Sequence, residues 1–158
     1  MADLEYNIED RRLVGRIGKA NISACAGSGG RAASKVKGAE NWLLANNSFA
    51  THVGGKASAG THHYGPIPRG LYTLKLHESR KNWIRLIPGK DNVMHERAGF
   101  AIHGQGKVGS HGCLVPTDFN VVLLLCKLVK QQGEDGNSPI TLQVVSRGQN
   151  IGWQMRTA

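Results

Sequence analysis

No stretch of the 158-residue chain is both apolar enough and long enough to cross a bilayer. The most apolar run, residues 121–129, falls well short of the roughly 20 residues that span a hydrocarbon core, and Lys127 interrupts it. It reads as a buried helix, and stable membrane insertion is not expected. Residues 1–12 are polar and acidic and lack the positive start and apolar run of a secretory leader, so general export is not expected from them. Cysteine is scarce, with Cys25, Cys113 and Cys126 only. An odd number argues against a disulfide framework and turns attention to whichever thiol is reactive. Cys126 lies in the apolar run and reads as inert core, and a bridge from Cys25 to Cys126 stays open at this stage. Acidic residues are also few, 11 against 20 Lys and Arg, which leaves a net charge of +9 and a field that attracts polyanions. The basic residues are scattered instead of blocked and no nucleic-acid-binding motif accompanies them, so they read as solvated surface and nucleic acid is not an expected partner.

What is present suits one folded domain spanning residues 1–158. Apolar residues make up 40% and charged residues 20%, far from the composition of disorder. Residues 13–22 predict one or two short strands, broken at Gly27 to Gly30, with residues 24–38 forming a small-residue loop. That Gly-rich piece lacks the closing Gly-Lys-Ser/Thr of a phosphate-binding loop. A short helix is predicted over residues 39–46 and a second small-residue loop over residues 54–65. Alternation with a period of two predicts strands over residues 71–76 and 83–87, the second closed by Pro88-Gly89. Residues 100–103 predict a third short strand. Thr117 can cap a helix whose apolar body is residues 119–129, with Gly133 beyond it, and residues 140–145 predict a last strand. Several short strands with one substantial helix imply a mainly β, largely antiparallel architecture with minor α.

Chemistry concentrates in residues 99–116, where His103, Ser110, His111, Gly112 and Cys113 lie among glycines. An unperturbed thiol ionises near about pH 8.5, so a cysteine nucleophile at neutral pH needs a neighbouring imidazole or other positive element. His103, at the end of a predicted strand, can face Cys113 across a Gly-rich turn. His111 either points to the same side or braces the loop. Gly112 permits close backbone approach, and the N–H groups of Gly112 and Cys113 are candidates for an oxyanion hole. Adjacent His62 and His63 would point to opposite faces of an extended chain, and no Cys/His spacing of the zinc type occurs elsewhere, so neither metal nor other cofactor is expected. Trp42, Trp83 and Trp153 read as core or rim packing.

Ser110-His111-Gly112-Cys113, with His103 upstream and Gly65, Pro66, Ile67, Pro68, Arg69, Gly70, Leu71 and Tyr72 leading into a strand, resembles the signature of the YkuD-type L,D-transpeptidases. Within that group it most resembles the small L,D-transpeptidase effectors delivered by type VI secretion. The resemblance covers about residues 64–145 and implies a YkuD-like antiparallel β sandwich or barrel with a helix after the catalytic loop. It further implies that Cys113 attacks a peptidoglycan stem peptide and releases its terminal D-alanine through a thioester. His103 would act as base and then acid, the Gly104 carbonyl would orient its ring, and Ser110, His111 and Tyr64 would shape the pocket. A toxic role follows from the same resemblance: synthesis in the cytoplasm, action in the periplasm of a target bacterium, and a cognate immunity protein as partner. Two departures stand out. The spacing from His103 to Ser110 is short, and Leu114-Val115-Pro116 replaces the Ile-Arg that often follows the cysteine. The cation for the substrate carboxylate is thereby unassigned, with Arg69, Lys107 or another cation as candidates. Rival readings are another cysteine peptidoglycan hydrolase, although those of the papain-like kind place Cys before His, and a basic nucleic-acid-binding module.

Overall fold

Short segments with alternating inward and outward residues build most of the molecule. The computed structural model describes residues 1–30, 44–54, 64–104 and 110–147. Its strands are β1 (Leu4–Asn7), β2 (Arg12–Ile17), β3 (Ala20–Ser28), β4 (Gly70–Leu76), β5 (Ile84–Pro88), β6 (Ala101–Ile102), β7 (Leu114–Pro116) and β8 (Thr141–Val145). One helix, α1 (Phe119–Glu134), lies between β7 and β8, and a single 3-10 turn covers Ser48–Ala50. The strands close into a barrel in the order β1-β2-β3-β7-β6-β5-β4-β8. Mainly β with minor α therefore holds.

Largely antiparallel pairing holds as well. Six of the eight neighbour pairs are antiparallel, whereas β1 with β8 and β6 with β7 run parallel. Parallel neighbours need a crossover connection and cannot be joined by a tight hairpin. β1 and β8 lie at opposite ends of the described chain, and β6 and β7 are separated by residues 103–113, so both pairs have the length of chain required.

The barrel is filled by its own side chains, as expected for eight strands. Leu4 and Tyr6 from β1, Tyr72 and Leu74 from β4, Ile84 and Leu86 from β5, and Leu142 and Val144 from β8 form its core with Ile102 and Leu114. β1 was not anticipated, although Leu4, Tyr6 and Ile8 point inward between Glu5 and Asn7. β3 runs through Ser28, where a loop was expected from residue 24, because Ala24, Ala26 and Ser28 keep the inward alternation with small side chains. The Tyr6 hydroxyl donates to the Ala26 carbonyl at 2.6 Å.

Helix α1 is capped by Asp118, not Thr117: the Asp118 carboxylate accepts the Asn120 N–H at 2.9 Å. Thr117 instead directs its N–H, at 3.0 Å, and its hydroxyl, at 3.3 Å, to the Cys25 carbonyl beside the β3–β7 seam. The helix packs against β4 and β7 and buries Val122 and Leu125 fully, while Phe119, Leu123 and Leu124 stay exposed. It is half-buried, not the wholly buried helix that its run of apolar residues suggested. All three cysteines are free thiols, with Cys25 exposed and Cys126 partly buried against the core. The helix expected over residues 39–46 lies mostly outside the described residues, and Leu44, Ala45 and Asn46 form a turn. The loop expected over residues 54–65, with His62 and His63, is also mostly outside them. Among the described residues, no helix is long and apolar enough to cross a membrane.

Candidate active site

The parallel contact of β6 with β7 positions the chemistry. Ile102 pairs with Leu114, and both are fully buried in the core. Because alternate residues of a strand face opposite ways, Cys113 and His103 turn to the other side of this pair and line one cleft. The His103 N–H donates to the Leu114 carbonyl at 3.2 Å, which carries the register one residue past the end of β6. The cleft measures about 540 Å³ and is lined also by His77, Arg80, Trp83, Arg85, Gly99 and Phe100, with no Asp or Glu on its wall among the described residues.

Among the described residues, two contacts orient the His103 ring. Its Nδ1 lies 2.7 Å from the Gly104 carbonyl. A carbonyl only accepts, so Nδ1 carries the proton, and in the neutral ring Nε2 is then the bare, basic nitrogen. Trp83 stacks on the imidazole at 4.1 Å with an interplanar angle of 16°. The stack fixes the plane of the imidazole against the cleft wall. The role expected of the Gly104 carbonyl thus has its geometry here, whereas Trp83 was read only as packing.

Cys113 is 8% exposed, with Sγ 3.9 Å from the Gly99 carbonyl. Burial pushes its thiol above the ordinary range, against the opposing pull of the Ala101 N–H and the Arg97 and Arg80 charges. This corrects the expectation of a depressed value: desolvation outweighs the nearby positive groups. The resting nucleophile at neutral pH is a thiol, and its proton has to pass to a base during attack.

Three buried polar residues fix the turn that carries this thiol. Ser110 Oγ donates to the Cys113 carbonyl at 2.7 Å and accepts the Gly29 N–H at 3.0 Å and the Gly112 N–H at 3.3 Å. Ser28 Oγ donates to the Gly112 carbonyl at 2.7 Å and accepts the Ile67 N–H at 2.9 Å. Arg97 donates to the carbonyls of His111, Gly65 and Pro66 at 3.1, 2.9 and 2.7 Å, and also to that of Thr51. Gly112 has φ of +112°, and a Cβ there would come within 2.6 Å of both Phe100 and Arg97, so only glycine fits.

These bonds reassign several expected site residues. Ser110 lines the cleft as expected, and its hydroxyl is committed three ways, so it also braces the turn that carries Cys113. The Gly112 N–H is taken by Ser110, which removes it from an oxyanion hole. The Cys113 N–H makes no hydrogen bond among the described residues and remains the candidate donor. His111 is exposed at the cleft, its ring 4.3 Å from that of Tyr64, which places Tyr64 behind His111 at the rim. Arg69 lies elsewhere, on a separate depression with Asn92, His95 and Gln143, so it is not the cation of this cleft. Lys107 falls outside the described residues.

No family model, curated protein or solved structure matches this chain. Function has to be read from the cleft itself. Arg80, Trp83, Arg97 and Ser28 were all missed as site residues. They lie 16 to 85 positions from Cys113 in the chain, and only the Trp83 aromatic and the basic character of Arg80 and Arg97 marked them at all. Among the described residues no group of three or more His, Cys, Asp or Glu is arranged to hold a metal ion.

Proposed function

We propose that the protein is a cysteine-dependent L,D-transpeptidase or L,D-carboxypeptidase of the YkuD-like kind acting on peptidoglycan stem peptides. The observation that carries the reading is the convergence of the Cys113 thiol and the His103 ring on one cleft, with His103 Nδ1 held by Gly104. The Ser-His-Gly-Cys motif and the barrel with a helix after the cysteine agree with it. In this mechanism Cys113 Sγ attacks the carbonyl carbon of the third stem residue while His103 Nε2 takes the thiol proton. The developing oxyanion is met by the Cys113 N–H. The imidazolium then returns its proton to the leaving nitrogen, the C–N bond breaks, and D-alanine departs, leaving a thioester on Cys113. Water, deprotonated by Nε2, attacks the thioester to give the shortened acid; a D-amino acid amine gives exchange.

The same reading makes the protein an antibacterial effector of type VI secretion, acting in the periplasm of a target cell and neutralised in its producer by an immunity protein. Purified tetrapeptide muropeptides incubated with the enzyme should lose one D-alanine by mass spectrometry, and Cys113→Ala should abolish that loss. Cleavage at the sugar–peptide amide or between other stem residues would instead identify another cysteine peptidoglycan hydrolase.

A further inference from the structure

Three arginines surround the candidate nucleophile, and two of them are already engaged. Arg85 is forked onto the Glu78 carboxylate, with Nε donating to Oε2 at 2.7 Å and Nη2 to Oε1. Arg97 is directed at backbone carbonyls beneath the cleft. Arg80 lines the cleft and meets no carboxylate among the described residues; its guanidinium lies 4.4 Å from the centroid of Trp83. His77 shapes the turn that presents it, with Nδ1 accepting the N–H groups of Ser79 at 3.1 Å and Arg80 at 2.9 Å. Trp83 is thus a platform shared by a cation and, at 4.1 Å, by the His103 ring.

We infer that Arg80 binds the free carboxylate of the residue that leaves the substrate, so that the cleft selects peptides with an unmodified C-terminus. A guanidinium laid over an aromatic ring keeps its N–H edges open to a carboxylate fork. Among the described residues the wall has no acid to compete for that fork. The leaving residue carries its carboxylate directly beyond the scissile bond, on the side where charge must be recognised if only a terminal residue is to be removed. The inference rests on the stem-peptide reading and assigns the cation which that reading lacks.

Two measurements test it separately from that reading. In the first, wild type and Arg80→Gln are compared on a tetrapeptide stem and on its C-terminal amide. The wild type should prefer the free acid, and the variant should lose roughly 10- to 100-fold of that preference, the range set by a charge-assisted hydrogen bond. Arg80→Lys should keep part of it, and Arg69→Gln all of it. In the second, Cys113 is alkylated with iodoacetate and with iodoacetamide in a background lacking the other two thiols. Arg80→Gln should lower the ratio of the two rates about tenfold, because the ratio cancels any change in thiolate fraction. Absence of D-alanine release by the wild type would overturn the proposed function, and the alkylation ratio would still decide Arg80. An acid preference or a rate ratio unchanged in Arg80→Gln would overturn the inference while leaving the proposed function standing.

Discussion

Arg97 carries a positive charge into the protein with no carboxylate to meet it among the described residues. It is 6% exposed, and burial lowers its pKa to about 10, which still leaves it charged at neutral pH. Four backbone carbonyls replace the missing anion, those of Thr51, Gly65, Pro66 and His111, and the guanidinium lies 5.0 Å from the Phe100 ring. The acceptors come from three separate segments, so this one side chain ties the nucleophile's turn to the two segments packed behind it. Arg97→Met keeps much of the stem's volume and removes every donor. Each buried acceptor left without a partner costs about 1–3 kcal/mol, and relief of the guanidinium's own desolvation returns several kcal/mol. The net loss should be about 3–5 kcal/mol.

Urea unfolding is the direct assay. The midpoint should fall at unchanged slope, and Arg97→Lys should sit between the two because one ammonium cannot reach all four acceptors. Alkylation of Cys113 adds an independent readout: without the Arg97 charge the thiol should ionise at still higher pH. A methionine variant within about 1 kcal/mol of wild type would refute the reasoning, because it would mean that the four carbonyls do not depend on this donor.

Four further outcomes are expected. Tyr6→Phe removes a buried hydroxyl that donates to Ala26 at 2.6 Å and accepts from Asn46 at 2.7 Å, and should cost about 1–3 kcal/mol in chemical denaturation. The pH midpoint of Cys113 alkylation should lie above the ordinary thiol range of about 8.5, and a midpoint near neutrality would replace base-assisted attack with a preformed ion pair. The folded thiol binds its proton more tightly than the unfolded one, so its stabilising contribution is complete below about pH 8.5 and lost as pH rises through the folded value; wild type should therefore lose stability relative to Cys113→Ser on the alkaline side. Trp83→Ala frees both the His103 ring and the Arg80 guanidinium and should lower kcat/KM at least about tenfold, while Trp83→Phe should restore most of it.

The parts of the barrel legible in the sequence are those where large apolar and polar residues alternate. β4 shows Tyr72 and Leu74 buried between Leu71, Thr73 and Lys75, and β5 and β8 repeat the pattern. Where contrast is weak, the pattern disappears. In β3 the inward residues Ala24, Ala26 and Ser28 are so small that the segment reads as a loop, yet all three are buried and the Ala26 carbonyl accepts the Tyr6 hydroxyl. β7 has no alternation to detect, because Leu114, Val115 and Pro116 are all buried. β1 failed for another reason: its partners, β2 and β8, lie on both sides of it in space, one of them more than 130 residues away in the chain.

The candidate site divides along the same line. Cys113, His111 and the Gly104 carbonyl were visible because they belong to one short segment with His103, and residues close in sequence can be weighed together. The groups that set the protonation state of the thiol could not be weighed in this way. Sequence suggested that a nearby imidazole would favour the thiolate. In the fold, the same packing that brings Arg97 and Ala101 toward the sulfur also strips water from it, and the loss of solvation is the larger effect. A motif therefore identifies which atom attacks, whereas its proton affinity is a property of the surrounding wall. That wall is assembled by Arg97 and Ser28, which pin the motif's turn to the segments behind it and neither of which the motif contains. Substitutions at these bracing residues should consequently alter the pH dependence of Cys113 while leaving the motif intact.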